Sequence, residues 1–197
     1  MGVIHYGIIA GRKIANTSSN KGTFGEMIVN SIFDPRYFGN EERYIINNVY
    51  FVDERNKSHQ IDHIVIYKTG IFCIETKNIQ GLILGHDNVD KWAVYLNGKS
   101  RNMLNPIIQN KTHVKVLKEF LNKQYDIHPI IVFIKSNKPK DVSSFVLNLE
   151  ELRDYIKEYK TTYYLSSDEM KELYWLLKNH KENTNVSLKE HVDSISK

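Results

Sequence analysis

Apolar and polar positions alternate along this chain in two distinct periods, and each stretch declares its element by the period it keeps. From Gly22 the apolar residues Phe24, Met27, Ile28 and Ile32 recur at spacings of three and four, which predicts a helix with Thr23 as its N-cap, stopped by Asp34-Pro35. Tyr44 to Val52 (YIINNVYFV) is rich in β-branched and aromatic residues and predicts a strand. A polar tip, Asp53 to Ser58, separates it from a second strand, His59 to Tyr67. The dipeptide Thr69-Gly70 then turns the chain back into Ile71 to Thr76 as an antiparallel hairpin. Beyond Gly81, LILG and KWAVYLNGK predict a smaller hairpin. Asn105-Pro106 opens a long helix whose apolar stripe is read as Ile107, Ile108, Val114, Leu117, Phe120 and Leu121. Ile130 to Ile134 is a short, continuous apolar run of the kind a buried strand carries, and Phe145 to Leu147 is a weaker one. Capping-box patterns at Asn148–Glu151 and Ser166–Glu169 begin two terminal helices.

This order predicts an α/β fold: a central mixed sheet, opened by three antiparallel strands and flanked by helices. Residues 1–21 read as an N-terminal extension, 22–180 as a single domain, and 181–197 as a polar tail. With 197 residues the chain has room for one domain with a substantial core.

Composition changes this picture only at the margins. A formal charge of +4 is compatible with a polyanionic partner, since net charge bears on association and not on fold. The single cysteine, Cys73, excludes an intrachain disulfide and a cysteine zinc cluster. The apolar stretch Val3–Ala10 is too short for a membrane span, which needs about 20 residues, and it lacks the charged start of a signal peptide. A cytoplasmic protein with no membrane partner is the expectation. No Gly-rich phosphate loop or Gly-x-Ser-x-Gly elbow is present, so a nucleotide cofactor and serine-hydrolase chemistry find no support.

The stretch Gly70–Asn78 (GIFCIETKN) carries the candidate chemistry. By strand alternation Ile71, Cys73, Glu75 and Lys77 share one face. On the hairpin partner Asp62 lies on an alternate face from His59 and His63, and if that face matches, one spot collects two carboxylates and an ammonium. Glu-x-Lys alone is an ordinary surface ion pair of little worth. An aspartate inside the apolar run HQIDHIVIY is different, because it is costly unless paired or ligated. Two close carboxylates repel each other, and a bound cation relieves that; magnesium takes oxygen ligands and keeps several waters. Next to such an ion an ammonium can orient the attacking water and meet a phosphate.

The set Asp62…Glu75-Thr76-Lys77 resembles the signature of the PD-(D/E)xK, restriction-endonuclease-like nucleases, with Ile61 where the family pattern has proline. More narrowly, GTFGEMIVNSIF, QIDHIVIYKTGIFCIETKNIQGLILG, the Trp92 segment and NPIIQNKTHVKVLKEFL together resemble the nuclease-related domain, from about Gly22 to Leu121. The resemblance implies a restriction-endonuclease-like core and a metal-dependent nuclease acting on nucleic acid, with DNA as the expected substrate. It implies Mg2+ or Mn2+ held by Asp62, Glu75, the Thr76 carbonyl and Glu26 of the first helix, with Lys77 acting on the water. Gln109 and His113, four apart on the long helix, resemble the residues that support such sites. The alternative is a nucleic-acid-binding module that keeps the fold without efficient catalysis. Trp92 and Tyr95 are read as packing residues before base-stacking ones.

Overall fold

The computed structural model describes residues 18–122 and 124–195. Helix α1 (Ser18–Ile32) and the short α2 (Pro35–Phe38) precede a meander of three antiparallel strands, β1 (Arg43–Val52), β2 (Ser58–Tyr67) and β3 (Gly70–Lys77). A small sheet follows, made of β4 (Leu82–Leu84), β5 (Lys91–Leu96) and β6 (Lys99–Leu104). Helix α3 (Pro106–Phe120) then crosses over to β7 (Ile127–Phe133), which lies parallel to β3, and β8 (Val146–Asn148) adds in parallel at the edge. A 3-10 turn leads into α4 (Leu152–Lys157), and α5 (Ser167–Ile195) closes the described chain. The central sheet has the order β1-β2-β3-β7-β8, the mixed α/β architecture expected from the pattern.

Two cores sit on its faces. On one, Val29 of α1, Phe33 just past its end and Leu152 and Ile156 of α4 pack against Val65, Phe72, Ile74, Ile130 and Val132. On the other, Leu117 and Leu121 at the end of α3 and Leu173 and Leu177 of α5 pack against Ile64, Ile66, Ile71 and Cys73. The β-branched run of β3 is buried on both sides, as a strand inside a three-layer fold must be. The small sheet docks beside the second core: Trp92 is fully buried, stacks on Phe133 at 6.2 Å and donates Nε1–H to the His86 carbonyl at 2.9 Å. Trp92 is thus a packing residue. The turn between β5 and β6 is Asn97-Gly98, with φ of 51° and 72°, the left-handed pair a two-residue hairpin demands.

Several boundaries differ from the sequence pattern. Helix α1 begins at Ser18, so Thr23 lies within it and is not its cap. Strand β7 begins at Ile127 and takes in Pro129; β8 pairs only with Ile131–Phe133, so the missing N–H costs no bond on that side. Helix α5 continues across position 180, where a polar tail was expected. His180 Nε2 lies 2.9 Å from the Tyr50 carbonyl, and Lys181 donates to the Asn47 carbonyl at 2.6 Å.

The stripe that α3 buries also departs from expectation. Ile108 is 44% exposed, and the buried residues are Pro106, Asn110, His113, Val116 and Leu117, followed by Leu121. Spacings of four and three run back from Leu121 through Leu117 to two polar residues, which a search for apolar periodicity passes over. Asn110 belongs inside because its amide is fully used. It donates to the Cys73 and Ile130 carbonyls at 3.0 Å each and lies 3.3 Å from Cys73 Sγ. Those bonds tie α3 to β3 and β7 together.

Glycine at position 25 lets α1 approach the end of β3 closely. A Cβ there would stand 2.7 Å from Asn78 Cβ and 3.0 Å from Ile134 Cδ1. Gly25→Ala is expected to force α1 outward and to lower stability by about 1–3 kcal/mol, the usual cost of overpacking, measured by thermal or urea unfolding.

Candidate active site

The site forms where β2 and β3 part. Their ladder ends at the pair His63 and Ile74, while β3 runs on to Lys77. The Asp62 carboxylate fills the opening by accepting the Thr76 N–H at 2.8 Å through Oδ2. Its neighbour across β1 is Asn48, whose φ of 54° is left-handed. Alternation reverses here in both strands. Ile46 and Val49 of β1, and Ile61 and Ile64 of β2, are each three apart yet belong to one core cluster, whereas regular strands put such pairs on opposite faces. This corrects one expectation about β2. His59 does not lie away from the site but faces α3, its ring 6.4 Å from that of His113. His63 stays on the α1 side, bonded through Nδ1 to Asn47 Oδ1 at 2.8 Å.

Glu75, 3% exposed, is the hub. Its Oε1 accepts from Lys77 Nζ at 2.5 Å and from Gln109 Nε2 at 2.7 Å, and Gln109 Oε1 in turn accepts from Lys77 Nζ at 2.9 Å. Three side chains from a strand and a helix therefore close one triangle. The other oxygen, Oε2, lies 3.3 Å from His113 Nδ1. The contact lacks hydrogen-bond geometry, so both atoms are buried without a hydrogen bond among the described residues, as is Thr76 Oγ1.

The two carboxyls are pushed in opposite directions. Burial drives the Asp62 carboxyl up to about 7, aided by the negative charge of Glu75 and, at longer range, that of Glu26, against the Thr76 N–H and Lys77. Burial also opposes the charge on Glu75, but His113 and Lys77 outweigh it and hold that carboxyl below its ordinary range. A raised carboxyl within reach of a lowered one's charge is an arrangement common at sites of acid–base or metal chemistry.

Asp62, Glu75, Lys77 and Gln109 are thus brought together, and Thr76 meets them through its backbone. Glu26 is half-buried on α1, near enough for its charge to act on Asp62. Among the described residues no three His, Cys, Asp or Glu side chains form a cluster able to hold a metal ion, so the close acidic donors number two. That donor set fits a hard divalent ion that keeps most of its waters. The buried Glu75 Oε2, free of hydrogen bonds, and an Asp62 carboxyl destabilised by its neighbour's charge are what such an ion would satisfy.

Asn105 caps α3. Its Oδ1 accepts from Ile107 N at 2.9 Å, and its amide donates to the His86, Asp87 and Val89 carbonyls. Cys73 is fully buried and its thiol is pushed well up by burial and by the nearby acids, so it stays protonated. The sequence reading missed Asn110, which sets the register of α3 and thereby the reach of Gln109. The signal was present in the spacing of 110, 113, 117 and 121. Among the described residues no helix is long and apolar enough to cross a membrane.

Comparison with known proteins agrees with this architecture. The family model described as nuclease-related domain matches residues 21–134, which span α1 through β7 and hold every residue of the site. The chain is 32% identical over 162 residues to an uncharacterized protein of Bacillus anthracis, covering 78% of this chain and 74% of that protein. No solved structure matches. The helix–meander–helix–strand core, the Asp62–Glu75 pair within it and the family match lead to one assignment: the chain belongs to the nuclease-related domain (NERD) family.

Proposed function

We propose that this chain hydrolyses phosphodiester bonds in nucleic acid, with DNA as substrate and Mg2+ or Mn2+ as its metal. The observation that carries the reading is the placing together of two carboxyls from neighbouring strands: half-buried Asp62, held by the Thr76 N–H, and buried Glu75, whose charge acts on Asp62 and which is itself bonded to an ammonium and an amide. Asp62 and Glu75 would hold the ion, with the Thr76 carbonyl as a further ligand, and Glu26, which is not among the close donors, would act on it through one of its waters. When bound, it supplies positive charge that offsets the repulsion of the carboxylates and polarises a phosphate oxygen.

The remaining work falls to this chain's own groups. Thr76 N–H holds Asp62 through Oδ2 and leaves Oδ1 for a ligand. Gln109 fixes Lys77 and Glu75 relative to each other, bonding both. The Lys77 ammonium can donate to the attacking water or to a non-bridging phosphate oxygen, where it stabilises the charge that develops as the water adds. Burial of Glu75 keeps bulk water from screening these charges.

A binding module of the same fold is the second reading, and the closed Lys77–Glu75 ion pair at 2.5 Å favours it, since the pair is satisfied without an ion. A cleavage assay separates the two. Plasmid and linear DNA are expected to be cut with Mg2+ or Mn2+ and left whole in EDTA, and Asp62→Ala and Lys77→Ala should each reduce the rate by about 10²–10³-fold or more. Wild-type rates in both variants, or activity persisting in EDTA, would overturn the nuclease reading. DNA binding without cleavage under any metal would leave the binding module.

A further inference from the structure

We infer that the cleft beside the candidate site is a pocket for an unpaired nucleobase, so that the strand this chain acts on is single-stranded. The inference rests on the nuclease reading and names its substrate class. The cleft has a volume of about 250 Å³, a little under the roughly 300–1,000 Å³ typical of pockets for drug-sized ligands and suited to one planar ring. Two imidazoles, His59 and His113, and two aliphatic side chains, Leu104 and Ile108, stand in its walls. Gln109 and His113 line the cleft and also touch Glu75, so a base lodged there lies one side chain away from the candidate reacting centre.

The chemistry of the walls selects the occupant. Leu104 and Ile108 are 67% and 44% exposed, large apolar surfaces open to solvent. They offer apolar, sequence-tolerant contact to an unstacked base, with the largely buried His59 and His113 rings reaching the cleft behind them. Lys57, also in the wall, supplies a cation for the adjoining phosphate, while Asp90 can accept from an exocyclic amino group.

The apolar surface continues outward. The register of the small sheet puts Leu104 opposite Lys91, Leu84 opposite Ala93 and Leu82 opposite Tyr95, all on its outer face. Leu82, Leu84 and Tyr95 are 61%, 50% and 46% exposed. An aromatic and aliphatic platform carrying a lysine therefore leads from the cleft, which is the form of single-strand binding surfaces. A duplex keeps its bases stacked and paired and can use neither the platform nor the cleft without unpairing.

The test is fluorescence anisotropy in EDTA at fixed salt, with labelled oligothymidylate and a duplex of equal length, alongside cleavage of both with Mn2+. The single strand is expected to bind at least about tenfold more tightly, roughly one base-stacking contact. The double variant Leu104→Ser/Ile108→Ser should lose about tenfold on the single strand and nothing on the duplex, with its melting temperature confirming the fold. Equal affinity for the two forms, no binding of either, or an unaltered double variant would overturn the inference. If the duplex is bound and cut as readily as the single strand, the pocket fails and the nuclease reading stands. If the single-strand preference holds but neither form is cut, the nuclease reading fails and the pocket stands.

Discussion

Asp62→Asn is expected to stabilise the metal-free protein while abolishing cleavage. The Asp62 carboxyl is pushed from 3.8 to about 7, chiefly by burial and then by the charge of Glu75. A folded-state value above the unfolded one means that the native protein prefers the protonated acid. The associated stability is complete below pH 3.8 and is lost as pH rises through about 7. Linkage converts that distance into about 4 kcal/mol at most. Asparagine does not titrate, and its Oδ1 can still accept the Thr76 N–H. The melting temperatures of variant and wild type should therefore diverge between pH 4 and 7 and stay apart above, in favour of the variant. Mg2+ should stabilise the wild type above pH 7 and leave Asp62→Asn unmoved. An Asn variant that is less stable than wild type at pH 8 would show that Asp62 serves the fold and not a ligand.

Lys77→Met is expected to destabilise the fold by about 3–5 kcal/mol, because it strands a buried carboxylate. Glu75 side-chain exposure is 4% and that of Lys77 is 16%, so little water is available to replace the ammonium. Glu75 is held below its ordinary value of 4.5, so the stability it gains from its partners is present above that value and is lost as pH falls. The penalty of Lys77→Met should accordingly be full at pH 7 and shrink in acid, where Glu75 takes up a proton. The double variant Glu75→Gln/Lys77→Met removes both charges and keeps an acceptor for the Gln109 amide. It should recover most of the stability and none of the cleavage, and urea unfolding of the four proteins in the cycle measures the coupling. A double variant as unstable as Lys77→Met alone would assign the cost to lost packing.

The way in which each residue became legible follows from the range of the interaction that fixes it. The strand identity of Ile71–Ile74, the hairpin turn at Thr69-Gly70 and the helix start at Asn105-Pro106 all arise from neighbours within a few residues, and all were visible in the linear pattern. So was the candidacy of Asp62 and Glu75, because an acid in an apolar run is anomalous wherever the chain folds. The resemblance to the nuclease-related domain rests on the same local motifs in order.

What the pattern did not reveal depends on contacts between distant segments. Strict alternation placed His59 away from the site, but the left-handed Asn48 opposite Asp62 reverses the facing of both strands, and no period-two rule contains that event. Apolar periodicity named Ile108 for the core of α3, while Asn110 and His113 took the buried places because carbonyls of β3 and β7 and the Glu75 carboxylate lie across from them. A polar residue enters a core only when partners await it, and those partners are 37, 20 and 38 positions away in the chain. The sequence by itself determined most of the elements, though neither α2 nor β6, their order and the presence of two unusual acids in an apolar meander. Only the tertiary structure decided that those acids meet, that one is pushed toward neutrality and the other held charged, and that Gln109 and Lys77 close around them. Propensity and periodicity are local energies, whereas desolvation and charge pairing exist only once the strands and α3 have packed.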